Sequence, residues 1–130
     1  MILADTSLWV DYLNDAPSTA VAELDAQLGR REVMMCGLVA AELLVGEDAD
    51  ERMRLWELFT AMPWADLDRG DFFVAGDVAA NLREQGRTVP LDDVFIAAAA
   101  ASRATLWTRD RHFEAIAEVL DRLDVRVFDS

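Results

Sequence analysis

The chain opens on a short apolar run, Met1-Ile2-Leu3-Ala4, cut off by Asp5-Thr6-Ser7, three residues that favour helix starts. This reads as a buried strand feeding a helix, and Leu8, Trp9, Tyr12 and Leu13 then recur at helical spacing up to Asn14-Asp15. Pro17 stands where a second helix can begin, and Val21, Leu24 and Leu28 carry it to a stop at Gly29. Val33 to Cys36 is a second strand broken by Gly37, and Leu38 to Val45 form a short helix with Gly46 at its C′ position. Residues 50–61 are amphipathic, with Met53, Trp56, Leu58 and Phe59 apolar, and Pro63-Trp64-Ala65 is a short strand. Residues 71–84 form a longer helix that turns Phe72, Ala75, Val78, Ala79 and Leu82 inward and stops at Gln85-Gly86. Leu91-Asp92-Asp93 opens an Ala-rich stretch to Ala101, apolar on most faces and therefore a buried helix. A strand at 105–108, a helix at 110–120 and a last strand at 125–128 complete the chain.

Strands alternating with helices predict an α/β fold with a mostly parallel central sheet flanked by helices on both faces. No repeat, linker or low-complexity tract interrupts residues 1–130, so a single domain is expected.

In such a fold each strand delivers the chain to one carboxyl edge, where the next helix starts and runs back. Asp5 ends the first strand, Glu42 lies about one turn into the helix after the second, and Asp93 opens a helix; all three belong to that edge. A length check adds Asp110. Residues 93–103 descend about 16 Å as helix, and residues 104–108 climb about 16 Å as strand. Four carboxylates from four distant segments therefore converge. Each has a simpler role open to it: Asp5 and Asp110 as helix caps, Glu42 as a solvated helix residue among Ala40, Ala41, Leu43 and Leu44, and Asp92 or Asp93 sharing capping duty.

Charge and composition narrow the chemistry. Lys+Arg total 12 against 25 Asp+Glu, a net charge of −13, so the chain's own field repels a polyanion unless its acids are neutralised. All the basic residues are Arg, which excludes a P-loop lysine, Schiff-base chemistry and a receiver site with a Lys partner. One Cys, Cys36, inside an apolar run reads as a core thiol, and one His, His112, leaves no His pair, no HExxH and no GxSxG elbow to serve. Clustered carboxylates without basic partners call for a hard divalent cation, and oxygen-only ligands favour Mg²⁺ or Mn²⁺ over Zn²⁺. Such a centre suits phosphodiester hydrolysis. Asp5 interrupts the N-terminus before any long apolar stretch, and the longest uncharged runs, such as 94–102, fall short of the roughly 20 residues a span needs. A soluble, cytoplasmic protein with no membrane segment is expected.

At these residues the chain resembles a PIN-domain ribonuclease of the VapC toxin type. The resemblance runs nearly end to end through Asp5-Thr6-Ser7-Leu8-Trp9-Val10-Asp11, Glu42-Leu43-Leu44-Val45-Gly46, Asp93-Val94-Phe95-Ile96-Ala97-Ala98 and Thr108-Arg109-Asp110-Arg111-His112-Phe113. It implies a PIN-like α/β/α sandwich and a Mg²⁺- or Mn²⁺-dependent endoribonuclease toxin, a homodimer acting on RNA and held inactive by a VapB-type antitoxin. Asp5, Glu42, Asp93 and Asp110 take the catalytic, metal-binding roles. Asp93 is chosen over Asp92 because the family acid directly precedes the x-x-Ile-Ala helix start, leaving Asp92 a neighbour or cap. His112 stands where some relatives carry a further Asp; a supporting group, a ligand and a packing residue beside Phe113 are all open, the last favoured. Thr6 and Thr108 are placed to hydrogen-bond the carboxylates or a bound water.

The arginines are the only charges available for phosphate. Arg103, Arg109 and Arg111 are read as clustering near the Asp93 and Asp110 segments, with Arg109 and Arg111 as RNA contacts; Arg83 and Arg87 end the preceding helix. Arg30, Arg31, Arg52 and Arg54 read as surface ion-pair partners. The apolar faces at 8–13 and 53–59 are core by default, or a wall for an antitoxin helix. Two other readings compete: a PIN nuclease of RNA maturation outside any toxin pair, and a catalytically silent binding domain.

Overall fold

The computed structural model describes residues 1–129. Four strands, β1 (Ile2–Ala4), β2 (Val33–Met34), β3 (Thr105–Thr108) and β4 (Asp124–Val127), pair in the order β2-β1-β3-β4, every pair parallel. Seven helices connect and cover them: α1 (Thr6–Leu13), α2 (Thr19–Gly29), α3 (Gly37–Val45), α4 (Ala49–Thr60), α5 (Arg69–Glu84), α6 (Leu91–Ala100) and α7 (His112–Val119). Successive side chains of a strand point to opposite faces. All three of β1, and Leu106, Trp107 and Thr108 of β3, are buried, so both faces of the sheet are covered. This is the expected α/β architecture. The chain leaves β1 for β2 on one side and later returns to β3 on the other, which puts the crossover point between β1 and β3, where clefts form at the carboxyl edge.

Ser18 caps α2 through Val21, so Pro17 precedes the helix rather than opening it. Strand β2 is shorter than expected, and Gly37 begins α3 instead of only ending the strand. Gly46 ends α3 at φ −85°, outside the left-handed region, so the stop needs no glycine. Residues 63–65 form no full strand; Met35 bridges Trp64 alone, donating to Pro63 O and accepting from Ala65. Helix α5 begins earlier than the expected 71, because Asp68 and Asp71 form a reciprocal capping box. β4 lies one residue earlier than expected.

Two apolar faces differ from expectation. In α4 the buried ridge is Leu55 and Phe59, one turn apart, while Met53, Trp56 and Leu58 are exposed. In α5 the inward stripe is Ala75, Val78 and Leu82. Phe72 lies on the same stripe, but in the first turn beyond the core, where it is 54% exposed and rests edge-on against Phe95. The length check survives with shorter legs. From Asp93, α6 ends at Ala100 and descends about 12 Å, and β3 climbs about 13 Å.

The contrast within α4 is measurable. Leu55→Ala removes a fully enclosed side chain and should cost about 2–5 kcal/mol in urea unfolding. Met53→Ala should stay within about 0.5 kcal/mol. Equal losses would put Met53 in the core.

Candidate metal centre at the carboxyl edge

Asp5 follows β1 directly and caps α1, its Oδ1 accepting from the Leu8 amide (3.1 Å) and from Ser7 Oγ (2.8 Å). Its Oδ2 accepts from Thr108 Oγ1, at the end of the neighbouring strand. Thr108 is wholly buried and Asp5 only 4% exposed. The same threonine hydroxyl accepts from the Asp110 amide at 2.8 Å, so one side chain ties the two acids that follow β1 and β3. Asp110 also caps the turn into α7, accepting from the His112 amide at 2.9 Å. Glu42, on the second turn of α3, accepts from Thr6 Oγ1 at 2.9 Å.

Asp93 sits in the first turn of α6. The helix starts at Pro90 without a side-chain cap, so neither Asp92 nor Asp93 has the capping role expected of one of them. Both are free to face the edge, and the helix N-terminus favours their charge. His112 turns its Nδ1 to 3.2 Å from Asp110 Oδ2 and 3.7 Å from Asp93 Oδ2, with its side chain 53% exposed. The favoured packing role beside Phe113 is therefore not its role. Asp93, Asp110 and His112 each bring one donor atom within 4.8 Å of the others. Asp5 and Glu42 lie outside that compact set.

The acids feel one another. Burial raises the Asp5 pKa against the bonds from Thr108, Ser7 and Leu8, and the Asp110 charge raises it further. Burial likewise raises Glu42; the Thr6 bond opposes this, and Asp92 and then Asp5 add to it. Asp93 is pushed up to about 6, by burial first and then by Asp92 and Asp110, with His112 pulling the other way. Asp92 is thus part of the acidic field rather than a bystander.

None of the four acids pairs with an arginine among the described residues. Arg109, read as an RNA contact, bonds Asp11 of α1 through Nε and Ser18 Oγ through Nη2. It fastens the end of β3 to α1 and the cap of α2. Arg111 points outward to Glu114 and Asp129. Arg103 is not near the acids: it follows the far end of α6, where it bonds Asp71 and the carbonyls of Ala98 and Ala99. The descent of α6 itself carries it to the opposite edge. Ser7 as a carboxylate donor and the Arg109–Asp11–Ser18 link went unread in the sequence, although Asp5-x-Ser7 directly after a strand is a visible signal for the first.

The donors here are carboxylate oxygens, threonine and serine hydroxyls and one imidazole nitrogen. Cys36 is buried, and burial pushes its thiol pKa up, which keeps it protonated. This set fits a hard or borderline divalent cation.

Comparison with known proteins agrees with the architecture. The PIN domain family model matches residues 2–119. The chain is 34% identical over 125 residues to VapC ribonuclease Mb1587 of Mycobacterium bovis, covering 92% of this chain and 93% of that one. It is 31% identical over 115 residues to Ribonuclease VapC19 of Mycobacterium tuberculosis, covering 87% and 92%. A chain of the VapBC2 complex of Rickettsia felis, solved on a promoter DNA fragment, superposes with a TM-score of 0.75 at 20% identity over 99% of this chain and 100% of that one, a likeness of fold.

The raised Asp93 pKa fixes a sign. The folded state holds this proton more tightly than the unfolded chain, whose Asp titrates near 3.9. The penalty is absent below pH about 4, grows up to about 6, and is complete above it. Asp93→Asn should therefore raise metal-free stability at pH 7.5 by about 1–3 kcal/mol and change it little at pH 4. Thermal unfolding in chelator at both pH values reads this; destabilisation at pH 7.5 contradicts it.

Proposed function

The chain belongs to the PIN-domain family, among the VapC ribonucleases, and we propose that it is a divalent-metal-dependent endoribonuclease toxin, held inactive by a VapB-type antitoxin. The reading takes residues 1–130 as one nuclease domain acting in the cytoplasm. No helix among the described residues is long and apolar enough to cross a membrane. The observation that carries the proposal is the meeting of Asp5, Glu42, Asp93 and Asp110 at one edge, with no arginine paired to them among the described residues.

In this reading Asp93 and Asp110 hold Mg²⁺ or Mn²⁺, with Asp5 and Glu42 beside them. An ion bound there would supply Lewis-acid activation of the attacking water and of a phosphate oxygen. The residues around it orient and move protons. Thr108 fixes the Asp5 carboxylate through Oδ2 and Asp110 through its amide. Thr6 holds Glu42, and to Glu42 we assign the proton taken from the attacking water. RNA phosphates are met by Arg83 and Arg87, which line a surface cleft beside the start of α6 with Thr88 and Leu91. Arg83 has no ion-pair partner among the described residues, while Arg87 bonds Glu118.

Two further surfaces support the partners. An apolar cleft of about 250 Å³ between α1, α2 and α4 is lined by Trp9, Leu13, Leu28, Leu58 and Phe59, and the adjoining cleft carries Asp15 and Asp25 on its wall. That combination suits an amphipathic, basic antitoxin helix. Exposed Val45, Phe72 and Phe73 are suited to burial in a homodimer.

The test is cleavage of total RNA by the purified protein. Activity with Mg²⁺ or Mn²⁺ should vanish in EDTA and fall at least about 100-fold in Asp5→Asn and Asp93→Asn. Cleavage indifferent to chelator and to both variants would falsify the proposal. Leu58→Glu should weaken the antitoxin complex at least about tenfold in titration calorimetry and leave isolated cleavage intact; unchanged affinity moves the docking site elsewhere.

A further inference from the structure

Resting on the metal-dependent reading, we propose that His112 is a nitrogen ligand of the centre and biases it toward Mn²⁺ over Mg²⁺. His112 is the chain's only histidine and the first residue of α7. Its backbone is held by Asp110, whose Oδ1 takes the His112 amide hydrogen at 2.9 Å. Its ring could swing into solvent, yet Nδ1 faces Asp110 Oδ2 at 3.2 Å and Asp93 Oδ2 at 3.7 Å. These carboxylates come from two separate segments, the first turn of α6 and the loop after β3.

The spacing is compact enough for these side chains to share one ion. At metal–ligand distances of about 2.1 Å, adjacent donors of an octahedron lie about 3.0 Å apart and opposite donors about 4.2 Å. The two separations from Nδ1 fall within this range, and all three donors lie within 4.8 Å. Charge gives the reason for nitrogen here. Asp110 raises the Asp5 pKa, Asp92 and Asp5 raise that of Glu42, and Asp92, Asp110 and Asp5 raise that of Asp93, so a further carboxylate would deepen the repulsion. A neutral imidazole adds a donor without adding negative charge. It also changes selectivity: Mg²⁺ prefers oxygen and retained water, whereas imidazole strengthens binding of first-row transition ions.

The experiment uses untagged protein, so that His112 is the only imidazole present. Mn²⁺ binding is followed by EPR, with Mg²⁺ as competitor, and bound Mn²⁺ is probed by pulsed EPR with and without ¹⁵N-histidine labelling. The expected result is a nitrogen coupling that responds to the label and is lost in His112→Gln. The variant's Mn²⁺ affinity should fall about tenfold while its Mg²⁺ affinity changes much less, with the thermal midpoint of the metal-free protein retained. His112→Asp should retain Mg²⁺ binding but lose the preference for Mn²⁺. Bound Mn²⁺ without a label-sensitive coupling, or an unchanged Mn²⁺-to-Mg²⁺ ratio in His112→Gln, overturns the role of His112 and leaves the metal-dependent nuclease standing. Failure of the wild type to bind Mn²⁺ or Mg²⁺ at all overturns both.

Discussion

Repulsion among carboxylates that the backbone forces together is the constraint on which this molecule turns. Parallel strands end on one edge, and here Asp5 and Asp110 follow two adjacent strands while Glu42 and Asp93 ride early turns of helices that begin there. Burial and mutual charge then raise the pKa of Asp5, Glu42 and Asp93 together. Hydrogen bonds from Thr108, Ser7, Thr6 and the Leu8 amide offset part of this without removing any charge. The buried strands β1 and β3 and the apolar body of α6 supply the stability that lets the edge remain strained. A divalent cation relieves what neutral donors cannot.

The arginines show the same logic in negative. With a net charge of −13, any arginine near the edge would be drawn to the acids. Instead Arg109, one residue from Asp110, is tied back to Asp11 and Ser18, and Arg103 is carried to the opposite edge by α6. The Arg109 link braces the loop that presents Asp110 while keeping positive charge off its carboxylate. The result is a strongly negative edge whose nearest titratable partner is one imidazole.

Much of this was legible from residue order. Apolar periodicity locates every strand of the sheet and each helix, and matching the length of α6 to that of β3 puts Asp110 beside Asp93. What escaped reading depended on tertiary context. Periodicity finds the stripe that contains Phe72 but not the turn at which the core stops. It cannot choose between Met53 and Leu55 when both are apolar. The capping role expected of Asp92 or Asp93 went to Pro90, whose φ of −59° starts the helix without a side-chain bond. Arg103, Arg109 and Arg111 look alike in sequence, and only their partners separate a brace, a far-edge pair and a surface residue.

The deepest link between fold and site is strand register. β1 pairs β3 with Ala4 opposite Trp107, and the Asp5 amide donates to Trp107 O at 3.0 Å. The next residue on each strand is then Asp5 on one side and Thr108 on the other, which brings the buried hydroxyl to the buried carboxylate. A slip of one residue would turn Thr108 to the other face of the sheet. Asp5 would lose its Oδ2 donor, and the Asp110 amide its acceptor. The packing that encloses Leu3, Leu106 and Trp107 on both faces of the sheet in this register therefore also aligns the acids. Core and centre are specified by one set of strand pairings, so an error in either is an error in both.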